Sequence, residues 1–402
     1  MKILFVPYYY YLQYIPFKMT IKELLGRGID AEILYIPNMA PKDESQNYNP
    51  QRFIQDEVPF TIFWLRRFPK LARPFSYLFQ IVQFYRNAQR LLRTIKKINP
   101  AAIVIGSHLG GVYIRVLQKY CYERSIPIIS MWITEDSLRN SMLMPRWFPV
   151  TKSVRNIIEW KPHNKYTQNN LFSVSGNALK RHLVNMGIEK EQVIVTGNPA
   201  HDVICDTFSE NRNILLDQGL VMKGRYIVLL TEVIHEIYDL TYLNQLLEVL
   251  KDAFNLLPGD IKVVVKYHPR ETNETKNIHK EKLHGSRYVF IEDIDLITLS
   301  RDAAISIGHF SKALESSFIV GTPVLSINLF NNEAHSIYGY SGKLMECVSP
   351  KEVSEKLLQF FEDEAFYNYA HTVTQEWCKD NVNKLDGKSA SRVANVILKH
   401  CL

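Results

Sequence analysis

In the stretch "IKVVVKYHPRE", an apolar run ends in three potential cations, Lys266, His268 and Arg270. An unbroken apolar run suits a strand covered on both faces, so the polar residues that follow must emerge at its end. An ammonium, an imidazole and a guanidinium gathered there can give a phosphate charge-assisted hydrogen bonds. Pro269 fixes its own φ and stiffens the loop. The same residues also read as an ordinary βα turn that happens to be basic.

A second cluster lies in "SIGHFSKALESSFIVGTPV". A strand turns through His309 and Phe310 into a helix with Ser311 as its expected N-cap and Gly321 as its end. Free N–H groups and the helix dipole at such an N-terminus attract an anion. Glu315 falls one helical turn after Ser311 and on the same face, where it can accept hydrogen bonds from ribose hydroxyls. Of Ser316 and Ser317, one is expected to pack against the sheet. A capped helix with a solvated glutamate is the plainer alternative.

Three further strand ends carry polar residues. "WITEDSLR" offers Glu135 and Asp136, and a carboxylate or a histidine such as His108 can take the proton from an attacking hydroxyl. These acids can equally cap a helix through its dipole. "LLTEVIHE" places Thr231, Glu232 and His235 after the first strand of a second domain, as candidate nucleotide contacts. "TGNPAHD" holds Asn198 in a Gly-Asn-Pro turn that reads as a donor contact, a hinge or a structural turn. The tyrosines of "FVPYYYYLQYIPF" can stack on sugar rings or fill a core.

These clusters need elements to position them. Short β-rich runs alternate with helical periodicity along the chain, the pattern of parallel sheets covered by helices. "KILFVPY", "AAIVIGS" and "IPIISMWI" are strands of a first domain. The polar segment after Cys205 marks a joint, and "RYIVLLTE", "IKVVVKYHP", "RYVFIED", "AAISIG" and "TPVLSINL" are strands of a second. The end, from Lys351, is helical. The expected domains are 1–205, 206–380 and a C-terminal helix over 381–402 that packs back on the first. In open parallel sheets, ligands gather at the C-terminal ends of the strands.

The 402 residues are 46% hydrophobic and 22% charged, the composition of a globular protein. No uncharged apolar window of about 18 residues suggests a membrane-spanning helix. "MKILFVP" reads as a strand rather than a secretory signal. Five scattered cysteines suggest reduced thiols and a cytoplasmic setting. Between Val58 and Tyr122 there are eleven Lys and Arg and no acid, interleaved with aromatics. Such a surface suits an anionic membrane face or a polyanionic acceptor, or is simply the solvated side of a basic helix. Without a recognition motif, nucleic acid is not an expected partner.

The two-domain pattern, "KYHP", "HFSKALESSFIVGTPVL" and "VTGNPAHDVI" together resemble GT-B-fold, nucleotide-sugar-dependent enzymes. The similarity covers most of residues 100–330. It is to the UDP-N-acetylglucosamine 2-epimerase-like group and to bacterial surface-polysaccharide glycosyltransferases with an HP motif and a serine motif, sialyltransferases among them. The resemblance implies an α/β architecture of two doubly wound, Rossmann-like domains facing a central cleft. It also implies that His268 contacts the donor phosphate, that Ser311 and Ser316 lie near phosphate, and that Glu315 lies near the ribose. The epimerase pattern departs here: Ser107 and His108 follow Gly106 where an acid is expected, and Glu315–Ser316 replace two adjacent glutamates. Transfer is therefore expected ahead of epimerisation, with a non-catalytic nucleotide-sugar-binding scaffold as a third reading.

The expected enzyme is an inverting, metal-independent glycosyltransferase without a cofactor. Its donor is a nucleotide sugar, CMP- or UDP-linked, with an acidic nonulosonate suggested by the sialyltransferase-like motifs. Its acceptor is a surface glycan or lipid-linked saccharide on the inner face of a membrane. Neither an Asp-x-Asp pair nor a His/Cys cluster is read as a metal site.

Overall fold

The computed structural model describes residues 1–7, 10–35, 51–53, 88–106, 112–132, 166–202, 226–232, 240–269, 271–292, 294–309, 313–329 and 345–401. The chain forms two compact units, Met1–Cys205 together with Asn383–Leu402, and Asp206–Val382.

The first unit holds strands β1 (Lys2–Val6), β2 (Asp30–Tyr35), β3 (Gln51–Phe53), β4 (Ala102–Ile105), β5 (Ile128–Trp132), β6 (Leu171–Val174) and β7 (Val193–Val195). They lie in the order β3-β2-β1-β4-β5-β6-β7, every pair parallel. Successive side chains of a strand point to opposite faces. On one face, Ile3 and Phe5 meet Phe17, Ile21 and Leu24 of the helix Tyr10–Gly26 and Val393 and Ile397 of the helix Ser389–Cys401. On the other, Leu4 and Val6 meet Leu91 and Ile95 of a helix over 88–98 and Ile114 and Leu117 of the helix Val112–Tyr122. Both faces are covered, which is why "ILFV", Ile3 to Val6, is apolar at consecutive positions.

The last helix belongs to this first unit, and "TGNPAHD" fastens it there. The Asp202 carboxylate accepts hydrogen bonds from the N–H groups of Ser389 (2.9 Å) and Ala390 (2.7 Å), two donors the helix cannot satisfy itself. Arg392 Nε donates to the Thr196 carbonyl at 2.6 Å. Gly197 sits at φ +87°, and a Cβ there would lie 2.6 Å from Ser389 Oγ, so the turn requires glycine on both counts.

The second unit holds β8 (Tyr226–Leu230), β9 (Lys262–Lys266), β10 (Tyr288–Ile291), β11 (Ile305–Gly308), β12 (Val324–Ile327) and β13 (Met345–Cys347). Their order is β10-β9-β8-β11-β12-β13, again parallel throughout. The chain winds outward from β8 in one direction and returns to wind outward from β11 in the other. Ligand crevices open where strand order reverses in this way, here between β8 and β11. Ile227, Leu229, Val263 and Val265 pack on Leu243, Leu247 and Leu250 of the helix Leu240–Asn255. Each such buried side chain contributes about 1.5–3 kcal/mol. Elsewhere in the unit, Phe318 stacks on Trp377 with ring centroids 4.4 Å apart.

Two expectations are corrected here. The helical C-terminal stretch is broken into Pro350–Glu362 and Glu364–Asn381, because Asp363 turns extended and caps the second helix through the N–H groups of Ala365 and Phe366. The helix after β11 runs Leu314–Ile319 with Ala313 at its N-cap position and no side-chain cap, so it begins later than a cap at Ser311 requires. Leu314 seats that helix on β11: a Cβ added to Gly308 would meet its side chain at 3.2 Å. Among the described residues, no helix is long and apolar enough to cross a membrane.

Candidate functional site

Register brings the polar strand ends of the second sheet level. Lys266 pairs with Leu230 on one side and Ile291 on the other, and Gly308 pairs with both Leu230 and Ser326. Along the C-terminal edge the chain therefore presents Glu292 after β10, Lys266 to His268 at β9, Thr231 and Glu232 after β8, His309 after β11 and Asn328 after β12.

His268 is half-buried at the head of a turn closed by Glu271 N–H donating to the His268 carbonyl at 2.9 Å. Its own N–H donates to Thr231 Oγ1 at 2.9 Å. Thr231 is buried and was expected as a nucleotide contact; its hydroxyl accepts this backbone bond. Lys266 donates its ammonium to the Glu292 carbonyl at the end of β10. The Glu292 carboxylate takes a hydrogen bond from Lys276 at 2.7 Å, which holds it below the usual carboxylate range.

At the reversal point, His309 is 3% exposed. Its Nε2 is hydrogen-bonded to the Tyr242 hydroxyl, and its Nδ1 lies 4.0 Å from Glu232 Oε2. Sequence reasoning passed over His309 as a turn residue. Its signal was position: a histidine immediately after the glycine that ends an apolar strand. Glu315 and Ser316 lie in the first turn of the helix Leu314–Ile319, both half-buried. Ser317 is the serine that packs on the sheet, bonded to Ser306 at 2.8 Å and Ser300 at 2.9 Å.

Asn198 lies in the first unit. Its carbonyl accepts from Ala200 N–H at 2.9 Å and its amide meets His201 Nε2 at 3.2 Å, so both ends of the side chain work within the turn. His108, Glu135, Asp136, His235, Arg270 and Ser311 fall outside the described residues. The sequence does contain one Asp-x-Asp, Asp293-Ile294-Asp295. Asp295 is engaged in capping the helix Leu296–Arg301 through Ile297 and Thr298, and Asp293 lies outside the described residues. No group of three His, Cys, Asp or Glu among the described residues is placed to hold a metal ion.

Two parallel sheets of this order, each wound outward from its first strand, define the GT-B class of fold. Solved structures share it along nearly the whole chain. The S. aureus MnaA–UDP complex superposes with a TM-score of 0.63 at 14% identity, covering 99% of this chain and 96% of that one. The UDP-GlcNAc 2-epimerase from Neisseria meningitidis bound to UDP-GlcNAc gives 0.60 at 11%, covering 99% and 100%. The glycotransferase of kitacinnamycin gives 0.57 at 12%, covering 99% and 98%. No protein-family model matches the sequence, and no curated protein matches it.

Proposed function

We propose that the protein is an enzyme acting on a nucleotide sugar, and that it transfers the sugar to an acceptor as an inverting glycosyltransferase. One observation carries this reading: the His268 turn is locked at the C-terminal edge of β9, beside the strand-order reversal, with Lys266 on the same strand end. Cations at that edge suit the phosphate of the donor and the charge that develops on it as the sugar leaves. Glu315, with Ser311 and Ser316, serves the ribose and phosphate. Glu135, Asp136 or His108 takes the acceptor's proton. The donor is CMP- or UDP-linked, and no cofactor is needed beyond it.

The second reading is 2-epimerisation, favoured by the 2-epimerases among the similar structures. Incubation with UDP-N-acetylglucosamine alone separates the two. Transfer predicts no 2-epimer by NMR. It also predicts thermal stabilisation by one member of a panel of CMP-, UDP-, GDP- and CDP-linked donors, and nucleotide release once an acceptor is supplied. Accumulation of the epimer would replace transfer with epimerisation.

The acceptor in this reading is a glycan or lipid-linked saccharide reached at an anionic membrane surface on the cytoplasmic side. Arg90, Arg93, Lys96 and Lys97 are exposed on the helix over 88–98, whose Leu91 and Ile95 are buried. Basic residues at a charged bilayer contribute about 1 kcal/mol each, so reversing Arg93 and Lys97 to Glu should cut co-sedimentation with phosphatidylglycerol vesicles at least ~tenfold. Unchanged sedimentation would remove the membrane from the account.

A further inference from the structure

The turn that carries His268 is fastened at its head by Thr231, and the residue at its foot, Glu271, is fastened to the helix that follows. At its head, Thr231 is 6% exposed, and its hydroxyl oxygen accepts the His268 N–H at 2.9 Å. The Thr231 N–H donates to the Lys266 carbonyl at 3.1 Å, which ties the end of β8 to the end of β9. At its foot, Glu271 is 8% exposed and its carboxylate accepts the Thr275 hydroxyl, one turn into the helix Asn273–Lys282. That helix is in turn fixed from inside. Thr272 caps it through Thr275 N–H at 3.2 Å, and the ring N–H of buried His279 donates from Nδ1 to the Thr275 carbonyl at 2.7 Å. Burial holds His279 below the ordinary histidine range, in keeping with a neutral ring as donor.

A partly buried backbone N–H needs an acceptor, and the Thr231 hydroxyl supplies one to His268. Removing the hydroxyl leaves that N–H unsatisfied, and the turn relieves the cost by rotating its peptide toward solvent. The imidazole moves with it. We infer that Thr231 is a positioning residue for the phosphate contact: it sets the direction of His268 from the head of its turn without touching the nucleotide. This rests on the reading that His268 meets the donor phosphate.

The test compares Thr231→Val, Thr231→Ser and His268→Ala, singly and combined, in the full chain, with UDP and CMP as calorimetric probes. Valine keeps the shape of threonine and drops the acceptor; serine keeps the acceptor and drops a methyl group. Thr231→Val should weaken nucleotide binding by about three- to tenfold, the net worth of one neutral hydrogen bond, and Thr231→Ser should restore it. In the His268→Ala background Thr231→Val should change nothing further, since the group it positions is gone. Amide exchange read without ligand should show the His268 N–H losing protection in Thr231→Val and regaining it in Thr231→Ser.

If His268→Ala binds UDP and CMP as wild type does, or wild type binds neither, the phosphate reading falls and this inference with it. If His268→Ala weakens binding while Thr231→Val does not, only the positioning role falls. A loss in Thr231→Val that persists undiminished in the double variant would make Thr231 a direct ligand contact and overturn it too.

Discussion

His268→Ala will weaken binding of the cognate nucleotide by about tenfold to a hundredfold, the worth of one charge-assisted hydrogen bond of about 1.5–3 kcal/mol. The variant should fold normally. The ring is half-buried and at the edge of the sheet, and the backbone bonds that build its turn, to Thr231 Oγ1 and from Glu271 N–H, do not involve the side chain. Alanine therefore removes the proposed ligand contact and keeps both of these backbone bonds. Titration calorimetry gives the affinity, and thermal unfolding of the free protein confirms the fold. An unchanged affinity in a folded variant would contradict the phosphate role.

Asp202→Ala will destabilise the first unit by about 2–4 kcal/mol, from the loss of two hydrogen bonds to a charged acceptor at a helix start. The carboxylate is 4% exposed, and Ser389, whose N–H it receives, is 1% exposed, so water cannot replace it without opening the packing. The helix it anchors inserts Val393, Ala394 and Ile397 into the core under β1 and β4. Loosening its N-terminus exposes that apolar face as well. Asp202→Asn keeps one carbonyl oxygen and should lose about half as much. Urea unfolding followed by intrinsic fluorescence reads the change, and a shift below about 0.5 kcal/mol, the range of ordinary surface substitutions, would contradict the anchoring role.

The two doubly wound sheets were legible because their central strands are covered on both faces. β1, β4, β8 and β9 carry three or more apolar residues in succession, and β11 and β12 are interrupted only by the buried Ser306 and Ser326; such runs stand out against amphipathic helices. Two edge strands, β3 and β13, were not legible. Gln51–Phe53 and Met345–Cys347 are three residues each, too short to show a period. Neither was the break at Asp363, because apolar residues recur at helical spacing on both sides of it, and only the capping bonds to Ala365 and Phe366 reveal two helices.

At the candidate site, residue types were readable but partners were not. "KYHPRE" announced a polar strand end, and sheet register places it level with the ends of β8 and β11. Thr231 read as a ligand contact because it follows a strand in the right place; its bond to the His268 N–H joins residues 37 apart in sequence, a pairing no local pattern encodes. His309 read only as a turn residue for the same reason: Tyr242 and Glu232, which flank its ring, lie more than sixty residues earlier. The helix after β11 begins at Leu314, with Ala313 rather than Ser311 at its N-cap position and Leu314 packed on Gly308, a start that the nearest capping residue does not signal.

The most direct test of the whole account is a crystal structure of the protein with UDP or CMP, whichever binds. The phosphate is expected at the C-terminal edge of the second sheet, within hydrogen-bond distance of the His268 ring and next to the ends of β8 and β11. A nucleotide seated on the first sheet, or on the opposite edge of the second with His268 free in solvent, would contradict it.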